Sequence, residues 1–74
     1  MKKHQDLQEK FGLHIKSLRE KRNLSLRDLA SKCDLDFSKI GQIENGKTNL
    51  KLSTIFELAK GLEVEPKELL DFEL

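Results

Sequence analysis

The sequence predicts an all-α fold, a compact domain of five helices, and three observations carry that expectation. No run of five or more residues alternates with the two-residue period of a strand. Apolar residues instead recur every three or four positions in successive segments. Between those segments stand residues that begin and end helices, and the only proline, Pro66, falls where a helix would start.

The first segment carries Leu7, Phe11, Ile15 and Leu18 as one apolar stripe, with Lys10, Lys16, Arg19, Glu20 and Lys21 around it. This spacing predicts a helix over residues 6–22. Ser25 followed by Asp28 has the form of a capping box, so a second helix is expected over 26–33 with Leu26, Leu29, Ala30 and Cys33 turned inward. A tight turn around Leu35 follows, and Asp36 caps a third helix over 37–45, with Ile40 and Ile43 inward and Gly46 closing it. Leu52, Ile55, Phe56, Leu58, Ala59 and Leu62 mark a fourth helix over 52–61, apolar around so much of its circumference that a central position is expected. Glu65 and Pro66 open a short fifth helix over 66–71, since proline's missing N–H is not needed in a first turn.

At 74 residues there is room for a single domain, 1–74, and for only a small core. Apolar and charged residues each make up 36% of the chain, and the net charge is +1. That balance hides an asymmetry. Residues 1–32 carry nine Lys or Arg against four Asp or Glu, whereas residues 52–74 carry two against six. Such a division suggests one face for a polyanion and another for a different partner, although solvated helix faces produce it too. The single cysteine excludes an internal disulfide, and no spacing of Cys and His suits zinc, so Cys33, His4 and His14 read as structural. No apolar run reaches the length of a membrane span, and residues 1–10 lack the apolar stretch of a signal peptide, which points to a cytoplasmic protein. No nucleophile–base grouping falls on one face, so an enzyme is the weakest functional class. No cofactor or small-molecule ligand is indicated.

The third helix is the most informative element. At about 100° per residue, with Ile40 and Ile43 inward, Ser38, Gly41, Gln42 and Asn45 point away from the core, and Glu44 falls on the flank of the core. An ordinary solvated face is rich in Lys and Glu; here only Lys39 fits that description. Gln can bond the N6/N7 edge of adenine, Ser can bond several base edges, and glycine removes bulk beside a groove wall. Two short helices joined by a tight turn, the second with such a face, form a helix-turn-helix pattern suited to reading DNA.

The run LSLRDLASKCDLDFSKIGQIENGK resembles the helix-turn-helix of the phage Cro and repressor family, with matches at Leu24, Ser25, Leu29, Ala30, Leu35, Ile40, Ile43, Glu44 and Gly46. The likeness continues through LSTIFELAKGLEVEPKELL and covers residues 7–72. It implies a lambda-repressor-like DNA-binding domain whose helices 2 and 3 form the helix-turn-helix, with helix 3 in the major groove of double-stranded DNA. Phe37, Ser38, Gly41 and Gln42 would then touch bases. Lys39, Asn45, Gly46, Lys47, Thr48 and Asn49 would hold the DNA backbone through side chains and free N–H groups. Arg19 and Glu44 would form a structural pair. Many members carry a Gln where this chain has Leu26, so Arg27 is expected to take over that phosphate contact. The turn glycine of the family is Asp34 here, which requires either a left-handed Asp34 or a different turn. Phe37 is unusual among base-facing residues: it could touch a thymine methyl or fold back onto Leu35 and the second helix.

One such domain makes few base contacts, so a homodimer on a palindromic operator is expected. Leu62, Val64, Leu69, Leu70, Phe72 and Leu74 are the candidate dimer contact, unless they complete the monomer's own core. The competing class is a protein-interaction or antitoxin-like module that uses the same fold without reading DNA.

Overall fold

The computed structural model describes residues 4–74, so residues 1–3 of the expected single domain lie outside the described residues. Helix α1 spans Gln5–Lys21, α2 Leu26–Ala30, α3 Phe37–Glu44 and α4 Leu52–Leu62, followed by a 3-10 helix at Pro66–Leu70. The described residues are all-helical, but with four α-helices rather than five. The expected fifth is the 3-10 turn, opened by Pro66 and by the Glu65 N–H donating to Glu68 Oε2 at 3.1 Å.

The second helix is shorter than its apolar spacing suggested, ending at Ala30, so six residues rather than about three separate α2 from α3. The turn begins one helical turn early because Ser31–Asp34 are held in other ways. Ser31 Oγ donates to the Asp28 carbonyl at 2.7 Å, and the Asp34 N–H donates to Glu57 Oε1 of α4 at 2.8 Å. Asp34 does not take the left-handed conformation; among the non-glycine residues described, only Asn23 and Glu63 have positive φ. The chain therefore uses a different turn from the glycine turn of the family.

Three helix exits share one solution. Asn23, Gly46 and Glu63 sit in the left-handed region at φ 58°, 72° and 60°. In each case the next two N–H groups past the helix return to its last carbonyls: Asn23 to Glu20 and Leu24 to Arg19, Gly46 to Ile43 and Lys47 to Gln42, Glu63 to Lys60 and Val64 to Ala59. Entries are capped as firmly. Ser25 Oγ accepts the Asp28 N–H at 3.0 Å while the Ser25 N–H donates to Asp28 Oδ2 at 2.8 Å, and Asp36 Oδ1 accepts the Lys39 N–H at 2.8 Å. The Ser25 N–H holds the Asp28 carboxyl below its ordinary pKa. The sign follows: this cap contributes above the pKa of the unfolded carboxyl and is lost as pH falls through the lowered folded value.

The core joins Phe11 and Ile15 of α1, Leu29 of α2, Ile40 and Ile43 of α3, Leu58, Ala59 and Leu62 of α4, and Leu69. Leu62 and Leu69, expected at a dimer contact, are fully buried inside the monomer. Each completes the core between α4 and the 3-10 helix and has no surface left for a partner. Val64 and Phe72 are half-buried against the same core, Phe72 packing edge-on against Phe11 at 6.1 Å between ring centroids. Helix α4 is not central. Its first turns leave Leu52 72% and Phe56 55% exposed, because only the Leu58–Ala59–Leu62 side meets other helices.

A close approach that periodicity does not reveal joins α1 to α3. A Cβ on Gly12 would stand 2.5 Å from the Glu44 carbonyl oxygen and closer still to that of Ile43. Two substitutions should move stability in opposite directions. Glu63→Gly relieves a left-handed residue and should gain about 1 kcal/mol, roughly 4–8 °C in melting temperature. Gly12→Ala should lose about 1–3 kcal/mol by forcing α1 off α3, and thermal unfolding followed by circular dichroism reads both.

Candidate nucleic-acid interface

The site is built around α3. Its inward residues Ile40 and Ile43 are fully buried or nearly so, which fixes the rotation of the helix. That rotation leaves Ser38, Lys39 and Gln42 exposed along one side, with Asn45, Lys47 and Asn49 exposed beyond its end. Gly41 is half-buried near α2, and the nearest atom to a Cβ built there is Leu26 Cδ1 at 3.8 Å, an ordinary contact. Nothing in the monomer's own packing demands a glycine at this position. Its cost in helix propensity, about 1 kcal/mol relative to alanine, is uncompensated within the chain.

Glu44, the one acid of α3, is turned away from this surface. Arg19 Nε donates to Glu44 Oε2 at 2.7 Å and Nη2 donates to Oε1 at 2.9 Å, a two-pronged pair buried on both sides. The hydrogen bond to Glu44 raises the Arg19 pKa above its ordinary value. Arg19 Nη1 also donates to the Leu24 carbonyl at 2.8 Å, so one guanidinium ties α1, the α1–α2 connection and the end of α3 together. The pair thus removes negative charge from the outer face and sets the angle at which α3 leaves the domain.

The exit of α3 differs from expectation at Gly46. That residue is buried, and a Cβ on it would meet the Glu9 Cα of α1 at 2.9 Å. The N–H groups of Asn45, Gly46 and Lys47 return to the carbonyls of Gly41, Ile43 and Gln42, so they are not the free donors for a phosphate that the sequence suggested. Gly46 shapes the exit; Asn45 and Lys47 offer side chains only. The N–H groups of Thr48 and Asn49 have no partner among the described residues, and Thr48 is half-buried.

At the other end of α3, Phe37 is 39% exposed, and the guanidinium of Arg27 from α2 lies over its ring, 4.1 Å from the centroid. Phe37 therefore meets the second helix through Arg27, an arrangement that lies at the cation–π distance. Sequence reasoning named both residues without pairing them. Their signal was available, in that each stands within the first two residues of a helix flanking the same turn.

Among the described residues, no group of three or more His, Cys, Asp or Glu could hold a metal ion, and no helix is long and apolar enough to cross a membrane. Burial pushes the Cys33 thiol pKa up, and its Sγ donates to the Leu29 carbonyl at 3.5 Å, which marks it as a packing residue.

Two short capped helices, the second fixed against α1 and presenting a polar, acid-free side, define a helix-turn-helix domain. The chain belongs to the helix-turn-helix family, whose model matches residues 15–69. It is 43% identical over 63 residues to control protein C.BamHI of Bacillus amyloliquefaciens, covering 84% of this chain and 78% of that one. Its fold superposes on the crystal structure of the restriction-modification controller protein C.AhdI from Aeromonas hydrophila with a TM-score of 0.86, at 39% identity over 90% of this chain and 97% of that chain. It is also similar to the restriction-modification controller protein C.Esp1396I, solved as a tetramer in complex with its natural 35 base-pair operator. There the TM-score is 0.76 and the identity 33%, over 88% of this chain and 96% of that chain.

The ion pair that sets α3 can be broken from one side. Arg19→Ala leaves the Glu44 carboxylate buried without a partner and should cost about 3–5 kcal/mol. In urea unfolding the midpoint should fall accordingly, and a loss below 1 kcal/mol would show that the pair does not hold the helix.

Proposed function

We propose that this chain is a sequence-specific DNA-binding transcriptional regulator that binds a palindromic operator as a homodimer, with α3 in the major groove. The observation that carries this reading is the exposed side of α3, where hydroxyl and amide side chains stand beside a glycine the fold does not need, while the only acid is locked inward by Arg19. Ser38 and Gln42 are the groups for base edges, Gly41 leaves room for their close approach, and Phe37 stands at the base-facing start of the helix. Lys39, Lys47 and the side chains of Asn45, Thr48 and Asn49 are the groups for phosphates. The controller protein crystallised on its operator supports the assignment, since it shares this fold over nearly all of its length. The control protein and the restriction-modification controller proteins named above supply the functional model for this reading. A protein acting on chromosomal or plasmid DNA in this way works in the cytoplasm.

The dimer contact needs revision from the set read in the sequence. With Leu62 and Leu69 committed to the core, the apolar groups that remain are Leu70, 59% exposed, and Leu74, 72% exposed, together with Leu52 and Phe56 of α4. Ile55 and Leu70 line one shallow apolar groove of about 130 Å³ with Leu7, Leu50 and Phe72, which joins α4 to the 3-10 helix. A homodimer of helix-turn-helix domains takes half-sites one helical turn, about 34 Å, apart.

Binding should fall steeply with salt, because neutralised phosphates release counterions. Gln42→Ala should relax preference at one base pair per half-site, whereas Lys47→Ala should weaken binding to all sequences alike and lower the salt slope by about one. If both variants bind a selected operator as the parent does, α3 does not read the groove. A module that docks proteins in place of DNA would show neither the salt dependence nor a preferred site. For the dimer, Leu70→Asp should shift the sedimenting species to monomer; an unchanged mass would move the interface elsewhere.

A further inference from the structure

We infer that Arg27, although it belongs to α2, reads a guanine in the major groove, with the Phe37 ring as the platform that orients its guanidinium. The inference rests on the DNA-binding reading above and goes further by assigning a base identity. Four features lead to it. The guanidinium lies over the ring of the first residue of α3, 4.1 Å from its centroid, and so sits at the end of the helix that enters the groove. Phe37 itself has no donor or acceptor, so hydrogen bonding to a base edge at this corner must come from a neighbour.

The donors of Arg27 are also unspent. Arg27 makes no hydrogen bond or ion pair through its side chain among the described residues. Of the two capping carboxylates beside this corner, Asp28 gives Oδ2 to the Ser25 N–H and Asp36 gives Oδ1 to the Lys39 N–H, and neither pairs with Arg27 among the described residues. Both Arg27 and Phe37 are exposed, so a duplex can reach them.

The stack decides between base and phosphate. A phosphate is satisfied by a cation arriving from many directions, and a free-swinging Arg or Lys serves equally. A guanidinium held over a ring, 4.1 Å from its centroid, has lost much of its swing, and the fork of an Arg is the donor pattern that two parallel hydrogen bonds to guanine O6 and N7 require. The ring carries no acceptor atom, so the contact leaves N–H donors of Arg27 for a base. Arg27 is therefore a specificity residue, and Phe37 is the residue that positions it.

The test uses the duplex that the full chain selects from a random pool, every single base-pair variant of it, and an unrelated duplex. Arg27→Lys keeps the charge and loses the fork, Arg27→Ala loses both, and Phe37→Leu removes the ring while keeping an apolar side chain. The parent should discriminate for one guanine per half-site by roughly 5- to 140-fold. Arg27→Lys should erase that discrimination while leaving the other positions, the salt slope and binding to the unrelated duplex unchanged. Phe37→Leu should relax the same position, and the double variant should relax it no further than Arg27→Lys alone. The inference is overturned if Arg27→Lys keeps the parent's base profile and Arg27→Ala weakens every duplex equally with a salt slope lower by about one, because Arg27 is then a phosphate contact. It is equally overturned if Arg27→Lys relaxes a position other than a guanine. In both cases the proposed function stands, whereas a parent chain that recovers no preferred sequence from the pool would sink the proposed function itself.

Discussion

The seating of α3 on α1 is the constraint on which the rest of this domain depends, and the Arg19–Glu44 pair is its centre. A buried ion pair is not a cheap source of stability, because two charges must leave water before they attract one another. Here the geometry offsets that cost. Both carboxylate oxygens accept from the same guanidinium, and its third nitrogen, Nη1, donates to the Leu24 carbonyl. Such a pair has one orientation, unlike an apolar contact that can slide. Gly12, two turns before Arg19 on the same face of α1, lets the end of α3 come down until its carbonyls nearly touch the α1 backbone, and Gly46 lets the chain leave over Glu9. Four residues, an ion pair and two glycines, thus serve one contact between two helices.

What that contact delivers is a surface. With Ile40 and Ile43 sunk in the core and Glu44 pinned to Arg19, rotation of α3 is fixed, and Ser38, Gln42 and Asn45 face outward. The electrostatics follow from the same geometry. A carboxylate left free at the end of α3 would repel a polyanion within a Debye length, about 8 Å at physiological salt. Neutralised and buried, it leaves Lys39, Lys47 and Arg27 as the charges a duplex would meet first. The N-caps contribute in a quieter way, since Asp28 and Asp36 each give a carboxylate oxygen to a backbone N–H group, and Arg27 has no ion-pair partner among the described residues.

The far side of the domain has the opposite character. The apolar excess of α4 is not absorbed by the monomer, and Leu52, Phe56, Leu70 and Leu74 remain exposed in a part of the chain that is net acidic. A domain of this size has little core to spare, and under the proposed function this open apolar surface is where a second copy would dock. The charge asymmetry along the chain thus separates a basic stretch over residues 1–32 from an acidic end over residues 52–74 that also carries this exposed apolar surface.

Local sequence by itself determined the helices, their caps and the outward chemistry of α3. Each of these is set within a few residues: a four-residue apolar spacing, Ser25 with Asp28, Asp36 before Phe37, Gly46 after Asn45. The positive φ at Gly46 was legible for that reason, whereas the same left-handed exit at Glu63 was not, because nothing in a glutamate announces it. Only the tertiary structure decided which apolar residues were core and which were surface. Leu62 and Leu70 look alike in the sequence, yet one is fully buried and the other largely exposed, since burial depends on which helix lies opposite and not on the residue itself. The shortening of α2 and the 3-10 form of the last helix belong to the same class, as does the Arg27–Phe37 stack. Each is fixed by a partner ten or more residues away, or by the space the packed helices leave, and periodicity along a chain carries no information about either.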